Sequence, residues 1–176
     1  MPIEHEAKIL DIDPAATEEL ILRRGGQKLG RKFMRRYVYD ITPGDESKWI
    51  RLRDTGEETT LTVKEITSDA IDGTHEIEVG VDDFEQTNTL LKFLGFQPKS
   101  YQETKRSSYV LDGAQVEVDR WPRIPPYLEI EADSKAEVVR VADLLGYQDT
   151  ELTGENTIKV YARYGIDLNT ITDLRF

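Results

Sequence analysis

Lys48-Trp49-Ile50-Arg51-Leu52-Arg53-Asp54 and, after a turn through Thr55-Gly56-Glu57, Thr59-Thr60-Leu61-Thr62-Val63-Lys64-Glu65 decide the fold class. Both runs have a period of two. In a strand, residues i and i+2 share a face. Ile50, Leu52, Leu61 and Val63 therefore lie on one side, and Arg51, Arg53, Thr60, Thr62 and Lys64 on the other. The pattern recurs along the chain. Glu4, Glu6 and Lys8 line up near the N-terminus. Glu76 and Glu78 oppose Ile77 and Val79, Glu117 and Asp119 oppose Val116 and Val118, and Glu129 and Glu131 oppose Leu128 and Ile130. The alternation predicts strands at 3–10, 35–41, 48–54, 59–65, 74–81, 105–111, 114–120 and 127–132. Asp112-Gly113 is a two-residue hairpin signal. Trp121-Pro122-Arg123-Ile124-Pro125-Pro126 is too proline-rich for a central strand.

Helices are marked by their ends. Asp13 before Pro14 is an N-cap with Pro at the first helical position, and Gly25-Gly26 stops that helix. A second helix starts near Asp83, is expected to carry Leu90, Leu91 and Leu94 inward, and stops at Gly95. A third opens at Ser134-Lys135-Ala136-Glu137 with capping-box spacing, buries Val138, Val141 and Leu145, and stops at Gly146. A short fourth holds Val160 and Tyr161 and ends at Gly165. A weak internal repeat links them: Glu76-Ile77-Glu78 leads through a helix to Leu94-Gly95-Phe96-Gln97, and Glu129-Ile130-Glu131 to Leu145-Gly146-Tyr147-Gln148. No low-complexity linker divides residues 1–176, which read as one domain.

A strand with one ionic face needs no function, because most such strands have a core face and a wet face. Here, however, the signs are sorted by strand, and amphipathic helices need an apolar surface to cover. If they cover the apolar strand faces, the ionic faces point inward. The expected fold is α+β: an eight-stranded antiparallel β-barrel with helices packed outside and a wet, charged interior. A sandwich with ionic outer faces is the plain alternative.

Composition narrows the chemistry. The chain of 176 residues has net charge −11, which argues against nucleic acid and anionic membranes as partners. No Cys is present and only two His, His5 and His75, so any metal should be hard and oxygen-bound. No apolar run approaches a membrane span. The N-terminus does not read as a signal peptide, and the expected location is cytoplasmic. A homodimer is the default assembly. Arg and Lys bind phosphate oxygens, and clustered carboxylates bind Mg²⁺ or Mn²⁺. The natural guest of such an interior is a polyphosphate with a divalent metal.

Glu4-His5-Glu6-Ala7-Lys8 resembles the opening Glu-x-Glu-x-Lys motif of the CYTH family, the triphosphate tunnel metalloenzymes. The order that follows extends the resemblance over nearly the whole chain: Arg51-Leu52-Arg53, Lys64, Glu76-Ile77-Glu78, Lys105-Arg106, Glu117-Val118-Asp119, Glu129-Ile130-Glu131. It implies a triphosphate tunnel that hydrolyses or cyclises triphosphate compounds with Mg²⁺ or Mn²⁺. By position, Glu4, Glu6, Glu129 and Glu131 resemble metal ligands and, with Lys8, the catalytic set. Lys8, Arg51, Arg53, Lys64 and Arg106 resemble triphosphate binders, and Glu76, Glu78, Glu117 and Asp119 further tunnel acids.

The function this implies is divalent-metal-dependent hydrolysis of a small-molecule triphosphate, inorganic tripolyphosphate or a small organic one. The alternative is a class IV-type adenylate cyclase making cyclic AMP and pyrophosphate, ranked second because no base-reading motif is evident. A binding module without turnover ranks third. The family's frequent Lys-x-Arg has Thr104 at its first position here, and of the adjacent Lys105 and Arg106 only one can face inward; Arg106 is the choice. The final segment lacks the family's usual Ser-Tyr pair, and Lys159 reads as a solvated helix residue. His5 and His75 have the outward parity. Trp49 shares parity with Arg51 and is either a stacking platform or plain packing.

Overall fold

The computed structural model describes residues 1–176. In chain order the elements are β1 (Ile3–Ile9), α1 (Pro14–Arg23), β2 (Gln27–Asp40), β3 (Lys48–Asp54), β4 (Thr59–Ile66), β5 (Thr74–Val81), α2 (Phe84–Phe93), β6 (Ser100–Leu111), β7 (Ala114–Arg120), β8 (Tyr127–Ala132), α3 (Lys135–Leu144), α4 (Thr157–Arg163) and a two-residue β9 (Asp173–Leu174). Short 3₁₀ turns stand at Asp149–Glu151 and Leu168–Thr170.

The strands run β2-β3-β4-β5-β1-β8-β7-β6, and β6 closes back on β2, giving an eight-stranded antiparallel barrel; β9 adds to β6 in parallel. The closing ladder is long, from Gln27↔Val110 to Val38↔Ser100, with an irregularity between Lys28 and Gly30. β2 and β6 exceed the expected 35–41 and 105–111. The stretch Gln27-Lys28-Leu29-Gly30-Arg31-Lys32 is polar on both faces, so its strand character comes from pairing with β6 and leaves no alternation to read. The thinnest seam is β1–β5, with only Ile3↔His75 and Glu4↔Thr74 in register. Beyond it the Lys8 backbone exchanges hydrogen bonds with Thr153 (2.8 and 3.0 Å), and Glu6 N–H donates to Ile71 C=O (3.0 Å).

Helix ends follow the local chemistry. Asp13, Asp83, Ser134 and Asn156 each accept a hydrogen bond from the N–H three residues on. Gly95 and Gly146 end α2 and α3 at φ +97° and +87°, a region that a Cβ disfavours.

The apolar core lies between barrel and helices. Val138, Val141, Ala142 and Leu145 of α3 pack on Ala7, Ile9, Val116, Val118, Leu128 and Ile130. At ~1.5–3 kcal/mol for each large side chain buried, this face alone supplies several kcal/mol of docking energy. Phe84 and Leu91 of α2 cover Tyr39, Ile50 and Leu52. Leu90 and Leu94 depart from expectation and are exposed. The buried stripe of α2 runs Phe84, Asn88, Leu91, and Asn88 is held inward by the Tyr39 hydroxyl, which donates to its side-chain oxygen (3.0 Å). α4 joins Trp121, Ile124, Tyr127 and Leu168 in a separate cluster at one end of the barrel.

Candidate active site: a charged tunnel

With the apolar strand faces turned to the helices, the alternate residues must turn inward. They line a cavity of about 590 Å³ that runs through the barrel. Glu4, Glu6, Lys8, Arg51, Arg53, Lys64, Glu76, Glu78, Arg106, Glu117, Asp119, Glu129 and Glu131 all line it, and Trp49 does too. His5, His75, Lys105 and Lys159 do not. Lys105 lies over the Phe176 ring outside (3.9 Å), and Lys159 pairs with Asp69 (2.5 Å) on the surface.

The strand order sets two walls against each other. In a ring of eight, β1 and β8 lie four places from β2 and β3. β1–β8 bring Glu6 beside Glu131 and Lys8 beside Glu129 in register. β2–β3 bring Arg36 beside Arg53 and Val38 beside Arg51. An acidic wall thus faces a wall of guanidinium groups.

On the acidic side most charges are matched. Lys8 Nζ stands 2.7 Å from Glu6 and 3.4 Å from Glu129. Burial disfavours its charge, but the two carboxylates outweigh burial and raise its pKa. Lys64 bridges Glu4 and Glu76, each at 2.8 Å. Arg106 grips Asp119 through Nε and Nη2, both at 2.6 Å, reaches Glu129 at 2.9 Å, and contacts Glu117 through Nη1. That fork holds Asp119 at 1% exposure. Two acids stay raised all the same. Burial pushes Glu4 up to about 8 against the pull of Lys64, aided by its hydrogen bond with Glu76 and the nearby charge of Glu6. Glu131 is raised by burial and by Glu129 and Glu6.

The opposite wall has too little negative charge. Glu78 accepts from Thr62 (2.7 Å) and from Arg51 and Arg53 (3.1 and 3.2 Å), and it is the main acid there. Arg36 has no carboxylate partner. Its Nη2 donates to Thr104 Oγ1 (3.0 Å), and its guanidinium lies 4.6 Å from the Trp121 ring centroid. Burial, then Arg51, Arg53 and Arg106, push it down to about 9. Arg51 and then burial push Arg53 down to about 10, against the pull of Glu78. The buried Nε atoms of Arg36, Arg51 and Arg53 have no hydrogen-bond partner, and neither does Trp121 Nε1. Buried donors of this kind are costly, and a multivalent anion would satisfy them together.

Arg36 was not legible as a site residue. It follows Arg35, and adjacent residues take opposite faces. Its parity with Val38 and Asp40 was the available signal, together with the Arg53 register, which needs the tertiary pairing. Arg35 took the outer face, against Asp54 (2.9 Å) and Phe84 (4.4 Å).

No three carboxylate or imidazole groups converge on one point as a preformed metal cage. The donor set still suits a hard divalent cation. It is all carboxylate, and on Glu4 and Glu131 burial and crowded like charge favour the proton, which a cation would replace.

The CYTH domain profile matches residues 2–158. No curated protein matches the sequence. Among solved structures, a conserved hypothetical protein of Pyrococcus furiosus superposes with TM-score 0.76 at 23% identity, covering 89% of this chain and 98% of that one. A candidate adenylate cyclase of Vibrio parahaemolyticus gives 0.75 at 12%, covering 91% and 98%. A Hippeastrum protein described as a candidate adenylyl cyclase with a dominant triphosphatase activity gives 0.60 at 16%, covering 94% and 96%. At these identities the likeness is one of fold.

Proposed function

This chain belongs to the CYTH-domain family, and from that membership and its tunnel we propose that it is a divalent-metal-dependent triphosphatase acting on inorganic tripolyphosphate or a small organic triphosphate. The observation that carries the reading is the wall of Arg36, Arg51 and Arg53, whose Nε donors are unpartnered and whose charge exceeds the nearby acid. In this reading the three guanidiniums bind successive phosphoryl oxygens and disperse their charge. Lys8, Lys64 and Arg106 complete the cradle, and Glu78, Glu117 and Asp119 hold the basic side chains in place. Glu4, Glu6, Glu129 and Glu131 would hold Mg²⁺ or Mn²⁺. When bound, such a cation neutralises phosphoryl oxygens and acidifies water. Hydrolysis joins the water oxygen to the terminal phosphorus and releases diphosphate as the leaving group.

The test is phosphate release from tripolyphosphate, thiamine triphosphate and ATP, each with Mg²⁺, Mn²⁺ or EDTA. Metal-dependent orthophosphate release is expected. Cyclic AMP with pyrophosphate from ATP would replace the reading with cyclase chemistry, and silence on all three would overturn it.

A further inference from the structure

The outer wall of this barrel is apolar, and the helices cover only part of it. α1 lies against β2 and β7, α2 against β3, and α3 against β8, β1 and β7. The cluster under α2 reaches Leu61 and Val63 of β4 and, at the very end of β5, Val81, and there the cover stops. Earlier on β5, Ile77 and Val79, in register with Val63 and Leu61, are about half exposed. On α2, Glu85 turns toward Arg35 of β2 (3.5 Å). At ~100° per residue, Leu94 is half a turn from Glu85, so Leu94 and its neighbour Leu90 flank β4–β5. Phe93, 86% exposed, crowns that ridge. Ile3 of β1, opposite His75 and also exposed, extends the strip past the seam. No Asp, Glu, Lys or Arg stands among these six positions, although such residues make up 32% of the chain.

We propose that this strip is the contact surface between two copies of this chain, related by a twofold axis. Area supports a second copy. The six residues together expose roughly 750 Å², so an isologous pair that covered them fully would bury up to roughly 1,500 Å² from them, within the ~1,200–2,000 Å² of stable specific interfaces. Charge permits it as well. Each copy carries −11, but the carboxylate that borders the strip, Glu65 in register with His75, is paired with Lys48 (2.7 Å) and adds little repulsion. The other exposed apolar group, Leu29 and Phe33, differs. Phe33 is partly covered by Phe176 (ring centroids 6.4 Å apart), and Arg31 and Lys105 stand among its residues.

Light scattering on the purified full chain, from micromolar to several hundred micromolar, should read twice the 20.2 kDa chain mass. Val79→Glu with Leu94→Glu should read a single chain mass with unchanged far-UV circular dichroism, and Leu29→Glu should stay dimeric. A wild-type monomer at every concentration would overturn the proposal and leave the strip to another partner. A dimer that survives the double substitution would overturn it too. If the double variant fails to fold, the absence of native Cys gives a second route. Phe93→Cys should cross-link between copies with a short bis-maleimide and Leu29→Cys should not; equal yields, or none from Phe93→Cys, sink the proposal.

Discussion

Replacing Arg36 by Met should stabilise the free protein while weakening its hold on a triphosphate. Arg36 is 8% exposed, has no acid partner and stands near three other guanidiniums. Burial and those charges push its pKa from 12.5 down to about 9. A basic group with a lowered pKa burdens the folded state wherever it is charged. The burden is full at pH 7 and is relieved only as pH climbs through about 9. Its upper limit is about 5 kcal/mol. Met keeps much of the volume and removes the charge. It also forfeits the Thr104 hydrogen bond and the Trp121 stacking, together about 1–2 kcal/mol. The net expectation is a gain of about 1–3 kcal/mol, the range seen when buried charges give way to apolar side chains. In a chain of this size that raises Tm by about 3–9 °C. The assay is a thermal melt at pH 7 in EDTA, with and without tripolyphosphate. Wild type should gain Tm on ligand addition, and Arg36→Met should start higher and gain less. A variant that melts below wild type, or gains equally from tripolyphosphate, refutes the account of Arg36 as an uncompensated charge matched to an anion.

Other outcomes follow from the same geometry. Glu4→Gln and Glu6→Gln should each lower steady-state phosphate release at least about a hundredfold; near-normal turnover in both would remove the carboxylates from the mechanism. Glu18, on α1, accepts from Arg120 (2.8 Å), Tyr109 (2.9 Å) and Arg31 (3.0 Å). Burial opposes its charge, but these partners outweigh burial and hold it at about 2. Its stabilising effect should be present above about pH 4.5 and vanish as pH falls through 2. The shift caps the effect at about 3 kcal/mol, and solvent screening reduces it to about 1–2. Urea titrations of Glu18→Gln should therefore show a deficit at pH 7 that closes in strong acid. Gly146→Ala, at φ +87°, should cost about 1 kcal/mol with no change in substrate affinity, checked by urea melts and KM.

The twelve charged residues picked from the alternation all line one cavity, because strand parity is a local property and every inward position shares it. Parity says only that one of Lys105 and Arg106 faces inward; Arg106 came from the family resemblance, and it lines the same cavity. Two readings failed where parity or periodicity had more than one solution. Leu90 and Leu94 lie on an apolar helix flank, but only the stripe through Phe84 and Leu91 meets the barrel, because α2 lies over β3 and touches β5 only at Val81. Arg36 was passed over because Arg35-Arg36 offers a charge to either face.

The amino-acid order alone determined the alternation, the caps and the stops, because these depend on neighbours within a few residues: Asp83 capping α2, Asp112-Gly113 turning β6 into β7, Gly95 and Gly146 ending two helices. Only the tertiary structure decided that β2 closes on β6, that the wall of Arg36, Arg51 and Arg53 faces the acids of β1 and β8, and that Ile77 and Val79 of β5 stay bare. Those facts depend on pairings between residues as far apart as Gln27 and Val110. The physical reason is that a charge's pKa and partners are set by its burial and by the neighbouring strands, and ring closure brings some of those, such as β6 with Arg106 beside β2 with Arg36, from a distant part of the chain.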